Sequence, residues 1–267
     1  MMSIRVIVAG ANGRMGLEVV KLIQQTNHFT LACGVSRSQA GKDVGEVVGV
    51  GKMNAPFVRS VEEALTQFPA DVMVDFTTPH VVQKHMELAI EAGVRPVVGT
   101  SGLGEQEIQE LKQTCKDRRM GAIIAPNFAI GAVLMMVFAA QAAKYMPHVE
   151  VIEMHHDQKL DAPSGTSVKT AELIAANRQE IKQGHPEEKE MITGARGADY
   201  QGFRIHSVRL PGLVAHQEVL FGGAGQLLTI RHDSLNRESF MPGVKLAVEK
   251  VMELDHLVYG LENILDL

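Results

Sequence analysis

Through its first half the chain alternates short, continuous apolar runs with stretches of helical periodicity: IRVIVAG, GLEVVKLIQQ, FTLACGV, VEEALTQF, VMVDFT, VVQKHMELAIEAG, RPVVGT, EQEIQELKQTCKDR and AIIAPN. Strands that are apolar throughout, rather than at every second position, are covered on both faces. Strands of that kind, each followed by a helix, predict a parallel sheet wrapped by helices, with right-handed crossovers. A further helix is expected over 129–140, in an apolar run too short for the roughly 20 residues a membrane span requires.

After about residue 147 the rhythm changes. VEVIEMHH, FRIHSVRL, VAHQEVLFG and QLLTIRH read as longer strands joined by turns, interrupted by one helix over 164–177 that opens at Ser-Gly-Thr. A last helix, over about 241–254, follows the final strand and is expected to pack back on the first half. KQGHPEEKE, residues 182–190, reads as a solvated loop. The fold expectation is therefore α/β: an N-terminal Rossmann-like, doubly wound parallel sheet plus a C-terminal α+β domain with a mixed, mostly antiparallel sheet. The domain bounds are 1–127, completed by the C-terminal helix at about 237–267, and 128–236 for substrate binding and oligomerisation.

Length and composition narrow the function classes. The 267 residues suffice for two modest domains, and 45% hydrophobic with 21% charged residues is ordinary for a globular protein. A net charge of -5 offers no electrostatic footprint for nucleic acid, and no basic run suggests a membrane surface. A small molecule is the expected partner. The apolar run of the first residues breaks at Gly10 and reads as a strand rather than a signal peptide. Two cysteines, Cys33 and Cys115, stand far apart and outside any CxxC pattern, so neither a disulfide framework nor a zinc ribbon is indicated, and a reducing cytosol fits.

Gly10-Ala11-Asn12-Gly13-Arg14-Met15-Gly16 follows the first strand and opens the first helix, the context a dinucleotide fingerprint requires. Glycines permit the tight turn and let backbone N–H groups approach a pyrophosphate. The spacing is GxxGxxG rather than GxGxxG, and a strand-to-helix turn with incidental glycines is the alternative. The second strand ends at Val35, where an NAD-preferring enzyme usually carries an acidic residue for the ribose 2'-hydroxyl. Ser36 and Arg37 stand there instead. Neither repels a 2'-phosphate and Arg37 can pair with one, so NADPH is expected to work at least as well as NADH, unless Arg37 is simply a surface arginine. Other strand ends, Asp75-Phe76-Thr77, Gly99-Thr100-Ser101 and Ala125-Pro126-Asn127-Phe128, are expected to frame the nicotinamide half.

In the second half, HHDQKLDAPSGTS at residues 155–167 packs histidine, lysine and aspartate into a loop between a strand and a helix. Backbone N–H groups at Gly165 and Thr166, with the Thr166 hydroxyl, would suit a carboxylate; Ser164 could instead be only a helix cap. An imidazole titrates near about 6.5 in ordinary surroundings, so His155 can supply a proton and Lys159 positive potential. Reduction of a C=C or C=N bond needs a hydride at one atom and a proton at its neighbour. Adjacent histidines can hold a metal, but neighbours on a strand point to opposite faces and no Cys or carboxylate cluster completes a site, so no metal is expected.

EMHHDQKLDAPSGTS resembles the E-x-HHxxKxDAPSGT signature of the 4-hydroxy-tetrahydrodipicolinate reductase family, also called dihydrodipicolinate reductase. The resemblance extends through VAGANGRMG, VDFT, VVGTSG, APNFAIG and the terminal RHDS segment, nearly the whole chain. It implies an enzyme of lysine and diaminopimelate biosynthesis that reduces a cyclic unsaturated dicarboxylate with NADH or NADPH, in the cytoplasm, as a homotetramer. It implies that His155 is the proton donor or acceptor, Lys159 the proton donor, and His156, Gly165 and Thr166 substrate ligands. The cofactor would contact residues 10–15, Arg37, Gly99, Thr100, Ser101, Ala125, Pro126, Asn127 and Phe128. Ser36 departs from members that carry Glu before the arginine, which puts a strong NADH preference in doubt. Two other readings stay open: a different two-domain NAD(P)-dependent dehydrogenase, which would lack a reason for HHxxKxDAPSGT, and a non-catalytic NADPH-sensing module, which would lack one for the lysine and histidine loop. For the tetramer, the strand-rich second domain is expected to have one helical cover, leaving an apolar sheet face to bury.

Overall fold

A computed structural model describes residues 3–265. They form two compact units: one reaching to Phe128 and resuming at Phe240, the other Ala129–Ser239.

In the first unit β1 (Ile4–Ala9), β2 (Phe29–Val35), β3 (Phe57–Val58), β4 (Val72–Asp75), β5 (Arg95–Val98) and β6 (Ala122–Ile124) alternate with α1 (Arg14–Gln25), α2 (Val44–Val48), α3 (Val61–Gln67), α4 (Pro79–Glu91) and α5 (Glu105–Arg118). Together with β12 (Leu257–Tyr259) the strands make a seven-stranded sheet in the order β12-β6-β5-β4-β1-β2-β3, and all six pairings are parallel. The apolar runs explain the burial. All four residues of β4 are buried, and Ile7, Cys33 and Met73 pack in one cluster while Met86, Val98 and Leu111 pack in another. Each such side chain contributes about 1.5–3 kcal/mol when fully buried. The strand order reverses between β1 and β4, and the carboxyl ends there form the crevice in which such sheets bind ligands.

The chain end differs from the expected single helix at 237–267. A 3-10 turn at Arg237–Phe240 leads into α8 (Met241–Lys250), which tightens into a second turn at Val251–Glu253, and β12 then adds a parallel edge strand to β6. Sequence periodicity overshot because 3-10 turns keep a helix-like spacing, and three residues are too few to show a strand pattern.

The second unit holds a five-stranded sheet ordered β11-β10-β7-β9-β8, from β7 (His148–His155), β8 (Ala198–Tyr200), β9 (Phe203–Arg209), β10 (Ala215–Gly223) and β11 (Gln226–Ser234). Only β7 and β9 pair in parallel; the other three pairings are antiparallel. Two helices, not one, belong to this unit: α6 (Ile130–Ala143) and α7 (Gly165–Asn177) pack on each other, with α6 also against β10 and β11 and α7 against β7. Val149, Val151, Ile205, Val219 and Phe221 are buried on the strand face with that periodicity. The alternate positions Glu150, Ile152, Met154, His206, Val208 and Leu220 remain half-buried. That face is not uniformly apolar, since Glu150 pairs with Arg196 at 2.6 Å and with His206 at 2.7 Å.

Candidate active site

The glycine turn lies where the strand order reverses. Gly10 has φ +80°, and a Cβ there would come within 2.7 Å of the Phe76 carbonyl oxygen; at Gly16 it would come within 2.1 Å of the Gly10 carbonyl oxygen. Only glycine lets β1, the β4 loop and α1 approach this closely. Gly13 is the N-cap of α1 and contributes no side-chain cap to it, so no serine or aspartate oxygen closes the helix start. Ala11 is buried, Asn12, Gly13 and Arg14 are exposed, and Met15 is half-buried.

At the ends of β2 and β4 a cavity of about 560 Å³ is lined by Gly10, Ser36, Arg37, Arg59, Lys84 and His80, among others. Ser36 is buried and Arg37 exposed. No acidic residue stands at the end of β2, and the cavity wall carries Arg37, Arg59 and Lys84 with one carboxylate, Glu62, so cations outnumber the acid, a set that fits a phosphorylated ribose. Arg59, Lys84 and His80 were not legible as site residues, because nothing in the sequence relates them to the end of β2.

The loops after β4 and β5 are held by one buried carboxylate. Asp75 is fully buried; its Oδ1 accepts from the Thr77 amide (2.8 Å), the Thr77 hydroxyl (2.7 Å) and the Thr100 hydroxyl (2.9 Å), and its Oδ2 faces Nδ1 of His85 at 2.8 Å. Gly99 and Thr100 thus sit on a fixed shelf, with Ser101 exposed beyond them. At the end of β6, Ala125 and Phe128 are buried, Asn127 is half-buried and Pro126 is exposed.

In the second unit His155 is the last residue of β7, His156 is exposed just past it, and Lys159 is half-buried in the loop that leads to α7. Lys159 Nζ reaches both carboxylate oxygens of Asp161, at 2.7 and 2.8 Å. Ser164 is the N-cap of α7: its hydroxyl oxygen accepts from the Ser167 amide at 3.2 Å. Gly165 and Thr166 are the first two helical residues. Beneath them runs a buried polar chain in which the Ser167 hydroxyl donates to Gln217 (2.6 Å), whose amide donates to the Thr170 hydroxyl (2.8 Å). The Ser164 cap engages the amide of Ser167.

Glu153, two residues before His155 and therefore on the same strand face, is fully buried against Nδ1 of His155 and the guanidinium of Arg209. Burial pushes its carboxyl up, but hydrogen bonds from His155, Arg209 and Ser207 outweigh that and hold it at about 2. The glutamate is the first letter of the quoted signature, and the period-2 spacing could have singled it out. Arg209 could not have been found that way, because only the pairing of β7 with β9 brings it there. Among the described residues no group of three or more metal-type ligands occurs, and no helix is long and apolar enough to cross a membrane.

A nucleotide-type glycine turn on a parallel sheet, with an imidazole–ammonium loop on an α+β unit, defines the class: a two-domain oxidoreductase with an N-terminal nucleotide-binding domain. Residues 4–128 match the family model for the N-terminus of dihydrodipicolinate reductase and residues 131–265 that for its C-terminus. The chain is 58% identical over 264 residues to a 4-hydroxy-tetrahydrodipicolinate reductase of Bacillus pumilus (strain SAFR-032), covering 99% of this chain and 98% of that one. It is 57% identical over 266 residues to the enzyme of that name from Bacillus thuringiensis (strain Al Hakam), covering 100% of both. A solved structure, dipicolinate-bound dihydrodipicolinate reductase from Paenisporosarcina sp. TG-14, matches with a TM-score of 0.89 at 50% identity, covering 99% of this chain and 100% of that one. The chain belongs to the dihydrodipicolinate reductase family.

Proposed function

We propose that the chain reduces 4-hydroxy-tetrahydrodipicolinate to tetrahydrodipicolinate in lysine and diaminopimelate biosynthesis, using NADPH or NADH. The observation that carries this reading is the β7–α7 loop, where an imidazole backed by a buried carboxylate and a lysine stand just ahead of a helix start. A reduced nicotinamide nucleotide, when bound at the glycine turn, supplies the hydride. His155 and Lys159 hold the proton that the reduced bond takes up, His155 at Nε2 because its Nδ1 is engaged by Glu153. Gly165 and Thr166 at the positive end of α7, with His156, bind a carboxylate of the substrate. Two buried free thiols, Cys33 and Cys115, whose pKa values burial raises to about 12 and about 11, suit a reducing cytoplasm. The decisive assay follows nicotinamide absorbance with the product of dihydrodipicolinate synthase as substrate. No turnover there, with turnover of a semialdehyde, would replace the reading with another dehydrogenase; tight NADPH binding without any turnover would leave the sensing module.

Ser36 and the cations around it support dual use of nucleotide, with NADPH equal to or better than NADH. A kcat/KM ratio favouring NADH by more than tenfold, about 1.4 kcal/mol in transition-state terms, would defeat the inference from Ser36. Arg37→Ala is expected to lower kcat/KM for NADPH while sparing NADH, because only the former presents a 2'-phosphate to the guanidinium.

The subunits are expected to assemble as a homotetramer through the second unit. Its sheet is helix-covered on one face, and Leu227 is 69% and Leu235 75% exposed at its margin. Light scattering at micromolar concentration is expected to give four times the chain mass; a monomer would contradict the assembly.

A further inference from the structure

The loop with the two proton-bearing side chains does not hold itself in place. Besides the Ser207 hydroxyl, four N–H donors converge on the carboxylate of Glu153. Its Oε2 accepts from Nδ1 of His155 (2.5 Å) and Nη1 of Arg209 (2.9 Å); its Oε1 accepts from Nη2 of Arg209 (2.7 Å) and the amide of Ser164 (3.3 Å). Arg209 Nη2 also donates to the carbonyl of Asp161 at 2.8 Å, and the side chain of Asp161 in turn holds Lys159. In the parallel β7–β9 pair His155 stands opposite Arg209 and Glu153 opposite Ser207.

We propose that Glu153 and Arg209 are positioning residues: a buried clamp that fixes the tautomer of His155 and anchors both the Lys159 loop and the start of α7. The inference rests on the proton-delivery reading of His155 and Lys159. Its chemistry follows from the donor count. Because both oxygens already accept from donors that cannot accept in return, the imidazole nitrogen facing Glu153 must carry its proton, which leaves Nε2 as the nitrogen whose protonation changes during a reaction. An amide in place of the carboxylate would point its NH2 at two donors whichever way it turned. Arg209 adds a different element, since Nη2, one prong of its bidentate fork on Glu153, carries a second N–H that reaches the Asp161 carbonyl, and a lysine point charge cannot span both.

The test combines kinetics with 15N NMR of histidine-labelled protein, with the His155 resonance assigned by its loss in His155→Ala. In the wild-type chain neutral His155 is expected to be protonated on Nδ1. In Glu153→Gln the Nε2-protonated form is expected to appear, and kcat to fall about tenfold to a hundredfold, as for other oriented imidazoles, with the KM for the dicarboxylate changed much less. NADPH affinity, read by fluorescence titration, serves as the check that the variant is folded. Arg209→Lys is expected to lower kcat while keeping the wild-type tautomer, because the carboxylate stays charged and only the Asp161 tether is lost. A folded Glu153→Gln protein with kcat within twofold of wild type, or with an unchanged tautomer, would overturn the clamp. If Glu153→Gln does not fold, an Nε2-protonated His155 in the wild type, or full activity in Arg209→Lys, overturns it equally. Full kcat in His155→Ala would instead remove the acid–base assignment, while the wild-type tautomer still decides the clamp.

Discussion

His155→Ala and Lys159→Ala are each expected to lower kcat by about 10²-fold or more while leaving nucleotide affinity near wild type. The glycine turn and its cation-lined cavity belong to the first unit, whereas both side chains belong to the second, so removing them takes away proton delivery and not the nucleotide's contacts. Thr166→Ala is expected to act otherwise. It removes a carboxylate contact present before and during the reaction, so its effect falls on the KM for the dicarboxylate rather than on kcat. Asp161 sharpens the Lys159 case. The ammonium rests on that carboxylate at 2.7 Å, and the carboxylate of Asp161 lies below its ordinary range because Lys159 bonds to it. Asp161 is largely exposed, so this pair is weak and can yield to a substrate carboxylate. Steady-state kinetics of the three variants, with a separate measurement of NADPH binding, checks the whole set. Full kcat in the first two, or loss of NADPH binding along with activity, would mean that the loop is not where the proton comes from.

Most of the first unit was legible because burial on both faces of a parallel sheet writes itself into sequence as uninterrupted apolar runs. IRVIVAG and VMVDFT became β1 and β4, and the glycines between β1 and α1 marked the reversal of strand order. The elements that escaped are those too short to carry a period: the two residues of β3, the single helical turn of α2 and the edge strand β12. In the second unit the strands were legible from alternation, and α7 from Ser164 as its cap. The apolar run that became α6 gave no clue to its partner, since 14 residues with no polar face can be buried anywhere.

The candidate site was legible in the same proportion. His155, His156 and Lys159 could be read because their chemistry is unusual for a short loop. Arg209, His85, Arg59 and Lys84 could not, since each joins its site only through strand pairing or helix placement distant in sequence. Glu153 and Asp75 fall between these cases. Asp75 ends an otherwise apolar strand and Glu153 shares the buried face of β7 with Val149 and Val151, and a carboxylate in that setting is buried only when donors surround it.

Asp75→Ala is expected to destabilise the protein by about 3 kcal/mol, the scale for removing the shared acceptor of several partly or fully buried donors. The amide and hydroxyl of Thr77, the hydroxyl of Thr100 and Nδ1 of His85 all converge on that carboxylate. The cost is less than the sum of four separate losses, because Thr77 and His85 are half-buried and can turn to water, whereas Thr100 is buried and cannot. Asp75→Asn separates the contributions. Its oxygen can keep the three donors now on Oδ1, and its NH2 can face His85 if the imidazole changes tautomer, so a loss of about 1 kcal/mol is expected. The loops after β4 and β5 are both pinned by Asp75 in the unit that carries the glycine turn, so the alanine variant is also expected to bind NADPH about tenfold more weakly, while the asparagine variant stays close to wild type. Denaturant unfolding and fluorescence titration of both variants measure the two effects. Equal stability of the alanine and asparagine proteins would show that the donors around Asp75 find water readily, and that the shelf under Gly99 and Thr100 is held by something other than this carboxylate.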